Sequence, residues 1–297
     1  MLDKNSQDTD QTPLAQAPLA QAEARPIPAT TDKSEREKWR CLPFDGPRNF
    51  RDMGGYLNEE GKAIKWGVIY RADRLSALTD ADMDYFKRLN IRKIIDFRSD
   101  HERKEAPSRT DALEDTQTLW MEVFEGGAFV EDMWRSLFSG DLSDASHMHD
   151  MMRAANRRFV SHHHNVFADF FKLLLEDENI PLLFHCMGGK DRTGFAAAMI
   201  LSALKVPEDV IMQDYLLTNT LTASSTEIRK KNLRDRLDRD ISDDLLDAVM
   251  KVQADYLQAG FETIHETYGS VEGFLKEGLG LGVSEMDELH RRYLAAD

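Results

Sequence analysis

Residues 180–204 read IPLLFHCMGGKDRTGFAAAMILSAL, and the fold is decided here. The apolar run from Ile180 to Phe184 reads as a buried strand, and the run from Phe195 to Leu204 as a buried helix. Between them lies a loop, His185 to Gly194, with adjacent glycines Gly188 and Gly189. A loop that runs from a strand into a helix N-terminus turns successive backbone N–H groups inward, and the helix dipole adds partial positive charge. Such a junction suits a tetrahedral anion. The two glycines let the backbone wrap closely, with no Cβ in the way.

Into that cradle the sequence places a thiol, Cys186, and six positions later a guanidinium, Arg192. Inward amides, the helix dipole and Arg192 all favour the charged form of Cys186, the form that attacks. Arg192 is suited to grip two oxygens of a phosphoryl group, and to hold them better as the group flattens in transfer. Thiolate attack would give a cysteinyl-phosphate that water then hydrolyses. The Gly189-Lys190 pair also looks like the end of a Walker A loop. That reading fails, because Asp191 stands where Ser or Thr must bind magnesium and Phe184 where the first Gly is required. A rhodanese-type sulfurtransferase also uses a cysteine in an anion-cradling loop, but Asp191 and the Arg192-Thr193-Gly194 exit favour phosphate. The plain alternative is a buried core cysteine, which the flanking elements and the Cys-x5-Arg spacing count against.

Outward from the loop, short β-rich runs alternate with helical patterns from Cys41 on, predicting an α/β domain over residues 41–297. Its mainly parallel central sheet has four to five strands, with helices on both faces. The candidate strands are Val68 to Tyr70, Lys93 to Phe97, Thr118 to Val123 and Pro181 to His185. Thr79 to Asn90 reads as a helix opened by a Thr79/Asp82 capping box, with Met83, Phe86 and Leu89 on one face. Residues 125–165 read as a helical insertion. Phe129, Met133, Trp134 and Leu137 share one face, and Met148, Met151, Met152, Ala155 and Phe159 another. The insertion is either plain core or a lid over a pocket. The C-terminal part is helical: Glu208 to Thr218, a later helix through Leu245, Leu246, Val249, Met250, Tyr256 and Leu257, and a last one from Ser284 capped by Asp287.

Residues 1–40 contain four of the nine prolines, two copies of Pro-Leu-Ala-Gln-Ala (Pro13 to Ala17, Pro18 to Ala22) and a mixed-charge run, Asp32 to Arg40. This segment reads as a disordered tail. In the 297-residue chain, 38 basic against 53 acidic side chains give a net charge of −15, which argues against nucleic acid or an anionic membrane surface as partner. No apolar run reaches the roughly 18 residues of a membrane span. The start of the chain, Met1 to Asp10, has no apolar segment of the secretory kind. Two cysteines, Cys41 and Cys186, exclude a disulfide framework and fit a reducing, cytoplasmic setting, with export by a route lacking that signal left open. A reversible Cys41–Cys186 disulfide that protects the nucleophile is a further alternative.

The loop resembles the signature of the cysteine-dependent phosphatase superfamily, Cys-x5-Arg-Ser/Thr. The longer run His185-Cys186-Met187-Gly188-Gly189-Lys190-Asp191-Arg192-Thr193-Gly194 is similar to its bacterial and fungal branch, tyrosine phosphatase family 3, which includes dual-specificity and lipid phosphatases. Asn49 to Gly55, Ile95 to Ser99 and Asp214 to Asn219 are also similar to stretches of that branch. The resemblance implies a metal-independent protein-tyrosine phosphatase without cofactor, with Cys186 as nucleophile and Arg192 as clamp. It further implies Thr193 as a hydroxyl that eases departure of the sulfur, and His185 as a hydrogen-bond anchor of the loop. Met187, Gly188, Gly189 and Lys190 would line the phosphate.

For the general acid the resemblance implies Asp191, which is favoured here, with Asp96 as the alternative. Asp191 lies inside the loop, but its basic neighbours favour its charged form, whereas a donor wants the opposite. Asp96 sits at a strand's C-terminal end, where α/β sites collect, with a salt bridge to Arg51 or Arg98 as its plain alternative. Cys-x-x-Gly-Lys-x-Arg also occurs in phosphoinositide phosphatases, so a phosphorylated protein and a phosphoinositide both stand as substrates. From a different class, a phosphate-binding pseudophosphatase that serves as an interaction module remains. His147, His149 and His162 to His164 lack the spacing of a tetrahedral metal site.

Overall fold

The computed structural model describes residues 25–110, 113–124, 145–237 and 240–296. Its sheet contains β1 (Arg51–Asp52), β2 (Ile69–Ala72), β3 (Lys93–Asp96), β4 (Gln117–Trp120) and β5 (Leu182–His185), in the spatial order β1-β2-β5-β3-β4. Only β1 runs antiparallel, pairing Arg51 with Arg71. The other pairings are parallel, and β5 lies in the middle with His185 opposite Ala72 on one side and Asp96 on the other. The C-terminal ends of β2, β5 and β3 therefore meet at one edge of the sheet, where ligand sites of α/β folds form.

Strand alternation sends side chains to two cores. Ile69, Ile95, Leu182 and Phe184 join one core with α4 (His164–Leu174), α5 (Asp191–Ala203) and α8 (Ala254–Tyr268). Tyr70, Ala72, Ile94 and Leu183 join the other with Met83, Phe86 and Leu89 of the α1 region (α1, Asp80–Arg88). The sheet is thus covered on both faces, as the near-continuous apolar strands required. The Thr79/Asp82 capping box forms as read. Residues Phe195 to Leu201 of α5 are buried on every side, which explains the unbroken apolar run after the signature loop. Among the described residues, no helix is long and apolar enough to cross a membrane.

Several boundaries differ from the sequence reading. The strand expected over Thr118 to Val123 ends at Trp120, on the sheet's edge. The two-residue β1 has no apolar alternation to announce it. Glu208 to Thr218 extends into a 30-residue α6 (Glu208–Leu237). The later amphipathic stretch is two helices, α7 (Asp243–Met250) and α8. They part because Asn219 of α6 holds Val252 on both sides, accepting from its N–H at 2.9 Å and donating to its C=O at 2.8 Å. The last helix, α9 (Val283–Tyr293), opens on Gly282, and the Ser284 hydroxyl turns to Glu285 instead of capping.

Of the segment read as a tail, residues 25–40 lie against the domain. Arg25 is buried between Asp82, at 2.7 Å, and Asp45, at 2.6 Å, and Tyr85 donates to the Pro26 carbonyl. The rest of that segment, and the face carrying Phe129, Met133, Trp134 and Leu137, fall outside the described residues. The second methionine-bearing face lies on α3 (Ala145–Ser161), where Met148 and Met152 pack against Leu245, Leu246 and Tyr256.

Candidate active site

The signature loop leaves β5 at His185 and enters α5 at Asp191, and its carbonyls are held from outside. Arg74 N–H donates to the Met187 carbonyl at 3.1 Å. Asn49 Nδ2 reaches the carbonyls of Gly188 at 3.3 Å and Gly189 at 2.8 Å, and Arg71 Nη2 reaches Gly189 at 2.9 Å. The N–H groups of Met187, Gly188 and Gly189 donate to nothing among the described residues. With its carbonyls turned outward and tethered, the loop presents amides to its interior, the arrangement that takes an anion. Gly189 makes this possible at φ +63°, where a Cβ would lie 2.5 Å from the Ala72 carbonyl oxygen. Gly194 packs as tightly, for a Cβ there would stand 2.7 Å from the Tyr215 ring.

A fully buried ion network supports these tethers. Asp214 of α6 accepts from Arg51 Nε at 2.9 Å, Arg71 Nη1 at 2.5 Å and the Tyr56 hydroxyl at 3.0 Å. Burial pushes the Asp214 carboxyl up, but Arg51 and Arg71 outweigh it and hold it far below the usual carboxylate range. Arg51 in turn donates to Asn49 Oδ1 at 2.5 Å, orienting the amide that grips the loop. Asp73 fixes the Asn49 backbone, accepting from its N–H at 3.1 Å.

Arg192 lies on the first turn of α5 and forms a bidentate pair with Glu102, both contacts at 2.7 Å. A further bond at 3.3 Å joins Nη1 to the Phe97 carbonyl. Burial alone would depress the Arg192 guanidinium, but the Glu102 carboxylate raises it above its ordinary range. Three of its five N–H groups are thereby used. Nε–H and the second Nη2–H remain on one edge, a fork of the shape that fits two phosphoryl oxygens. Glu102 is placed by a capping box on α2 (Asp100–Glu105), in which Ser99 N–H donates to Glu102 Oε2 at 2.8 Å. Its role escaped the sequence reading, although Ser99-x-x-Glu102 carries the capping signal and follows the Ile95 to Ser99 stretch directly.

His185 is buried, with Nδ1 3.2 Å from the Cys186 carbonyl. A carbonyl only accepts, so Nδ1 carries the proton in that bond. Burial lowers the pKa of His185, which favours the neutral ring. Cys186 is 2% exposed and is a free thiol, as is Cys41, whose pKa burial raises. The Thr193 hydroxyl is buried without a partner among the described residues.

The two candidate acids differ sharply. Asp96 is committed to Arg98, with Oδ1 accepting from its backbone N–H at 3.0 Å and both oxygens from its guanidinium at 2.8 to 3.1 Å. Burial pushes the Asp96 carboxyl up, yet His185 and Arg98 together hold it below the usual range. Asp191 pairs through Oδ2 with Lys190 at 2.8 Å, while its Oδ1 is buried with no partner among the described residues. Lys190 Nζ also reaches the Lys251 carbonyl at 3.4 Å. Of the histidines, His149 bonds the Tyr256 hydroxyl at 2.5 Å and His163 packs edge-on to Phe124. Among the described residues, no three His, Cys, Asp or Glu side chains gather in a metal-binding group.

Comparison with known proteins adds to this geometry. Residues 42–295 match the tyrosine phosphatase family. A protein of Cupriavidus necator named as a tyrosine-protein phosphatase is 29% identical over 256 residues, covering 86% of this chain and 88% of its own. The triple specificity protein phosphatase PtpB of Mycobacterium tuberculosis is 29% identical over 83% of this chain and 95% of its own. A tyrosine-protein phosphatase of Nostoc commune is 27% identical over 76% and 73%. With a match that takes in every strand of the sheet and the whole signature loop, this chain belongs to the tyrosine phosphatase family.

Proposed function

We propose that the protein hydrolyses phosphomonoesters through a cysteinyl-phosphate on Cys186, acting on protein phosphotyrosine with dual specificity. The observation that carries this reading is Arg192, held by Glu102 in a bidentate pair with Nε–H and one Nη2–H unspent, at the end of a loop that starts at the thiol of Cys186 and whose Met187, Gly188 and Gly189 amides are unspent among the described residues. The phosphoryl oxygens bind the amides of Met187, Gly188 and Gly189 and the Arg192 fork. Cys186 Sγ attacks phosphorus, the S–P bond forms and the bond to the leaving oxygen breaks. Asp191 gives its proton to that oxygen. Water then attacks phosphorus, loses a proton to Asp191, and the S–P bond breaks to release inorganic phosphate and the thiolate. The unpartnered Thr193 hydroxyl is available to donate to the departing sulfur.

Asp191 suits the acid role because its Oδ1 has no partner among the described residues, whereas both oxygens of Asp96 are held by Arg98. A second reading, hydrolysis of phosphoinositides, draws on Lys190, whose ammonium adds positive charge beside the loop. The name of the Mycobacterium relative, with three specificities, agrees with a broad substrate range. Phosphate release from a phosphotyrosine peptide and a soluble phosphoinositide, measured side by side in excess EDTA with Cys186→Ser as blank, tests both readings. Release that vanishes in the variant supports the thiolate route, and the ratio of rates selects the substrate class. Release that survives in Cys186→Ser overturns the route.

A further inference from the structure

Trp120 is a large apolar side chain left 46% exposed, and it joins none of the apolar cores of the described residues. It ends edge strand β4, opposite Asp96 at the end of β3. Burial does not explain its place, but its contacts do. The indole Nε1–H donates to the Arg98 carbonyl at 2.7 Å, and the Arg103 guanidinium lies over the ring, 3.9 Å from its centroid. One side chain thus grips the chain just before Ser99 and just after Glu102, the two residues of the capping box that sets the Arg192 clamp.

The helix between those grips, α2, has six residues, too few to hold itself, so its anchors decide where Glu102 points. Arg98 supplies some of them. It is buried, pairs with Asp96 on β3, and reaches the Ala106 carbonyl at 2.6 Å and Ser108 Oγ at 2.7 Å, past the end of the helix. Trp120 supplies the others and ties this turn to the sheet, where the Met121 N–H donates to the Asp96 carbonyl at 2.9 Å. Its indole bond fixes the Arg98 backbone and its ring fixes Arg103, with Glu102 between them. Such bracing matters at a clamp, because a misplacement of about 1 Å can cost on the order of a hundredfold in rate.

We propose that Trp120 is a positioning residue for the reaction: acting through Glu102, it holds the Arg192 fork in the pose that meets the transferring phosphoryl group. The proposal rests on the reading of Cys186 and Arg192 given above.

The test measures kcat and KM for an aryl phosphate, with inhibition by vanadate and by inorganic phosphate, in the full chain and in Trp120→Phe, Trp120→Leu and Glu102→Gln. Phenylalanine keeps a ring over Arg103 but loses the N–H, so kcat should fall about fivefold, the worth of one hydrogen bond. Leucine loses both contacts, so kcat should fall about tenfold or more, with KM within about twofold. Vanadate takes up the five-coordinate shape of the transferring group, so its inhibition constant should rise by the factor by which kcat falls, while that of phosphate changes little. Added to Glu102→Gln, Trp120→Leu should cost almost nothing further. A Trp120→Leu enzyme that is folded and whose kcat lies within about twofold of the unaltered one would overturn the proposal. So would a loss carried by KM alone, a vanadate constant that does not follow kcat, or full additivity with Glu102→Gln. If Trp120→Leu does not fold, the same readings on Trp120→Phe decide. Turnover that persists in Cys186→Ser, with Trp120 intact, would instead refute the main-site mechanism, which keeps the two failures apart.

Discussion

Replacing Glu102 with glutamine removes the charge that orients Arg192 while keeping the size and shape of the side chain. Both side chains are less than a tenth exposed, so solvent screens the pair little. Two contacts of 2.7 Å join them, and a charge-assisted hydrogen bond is worth about 1.5–3 kcal/mol. Glutamine keeps one acceptor for one N–H but sets an amide N–H against the other, so about 2 kcal/mol of orienting energy is lost. If Arg192 must be held in that pose to meet the flattened phosphoryl group, the loss appears in the transition state as roughly a 30-fold fall in kcat, at 1.36 kcal/mol per tenfold. The assay is steady-state hydrolysis of an aryl phosphate, with Glu105→Gln as control, since Glu105 is exposed on the same helix and pairs with His101. A Glu102→Gln enzyme within twofold of the unaltered one would refute the reasoning. So would a fall in kcat matched by Glu105→Gln.

Gly189→Ala should lower the melting temperature by roughly 4–8 °C, from about 2 kcal/mol of left-handed strain, and more from the clash with the Ala72 carbonyl. Gly61→Ala, at φ +78° with open space around it, isolates the strain, and equal shifts for the two variants would remove the clash from the account. Asp214→Asn should destabilise by about 3–5 kcal/mol in urea unfolding near neutral pH, because it leaves Arg51 and Arg71 buried without their shared counter-ion. Asp214 is held below its unfolded value, so its contribution is complete above about pH 4 and is lost as pH falls toward its folded pKa. The unaltered protein should therefore lose about 1.4 kcal/mol per pH unit more than Asp214→Asn on the acid limb, and parallel limbs would count against the pairing. Asp191→Asn should slow esters of poor leaving groups far more than those of good ones in kcat measurements, and uniform slowing would shift the acid elsewhere.

The signature loop and its flanking strand and helix were legible because their signals are local: an apolar run, paired glycines and a Cys-x5-Arg spacing. The parallel sheet followed from apolar strands separated by helical patterns, with errors of a few residues at strand ends. What escaped was set by tertiary contact. Arg51 and Asp52 carry no strand signal and become β1 only by pairing with Arg71 and Tyr70. The break between α7 and α8 depends on Asn219, some thirty residues earlier in the chain. Arg25 belongs to a proline-rich segment of low apolarity, yet it is ordered by Asp82 and Asp45, which composition does not reveal. At the site, Cys186, Arg192 and Asp191 are adjacent in sequence, whereas Glu102, Arg71 and Asp214 reach it from three different elements. Of the two partners the sequence offered Asp96, the structure shows Arg98, two residues away, whose guanidinium folds back onto that carboxylate.

The central claim is that phosphate passes through the sulfur of Cys186. Rapid acid quench during turnover of a phosphotyrosine peptide, followed by mass spectrometry of the digested protein, tests it directly. The account predicts a phosphoryl adduct on the peptide that bears Cys186, accumulating in Asp191→Asn if that carboxylate also activates the water, and absent from Cys186→Ser together with all turnover. Turnover that continues in Cys186→Ser, or a phosphoryl group trapped on any other residue, would contradict it.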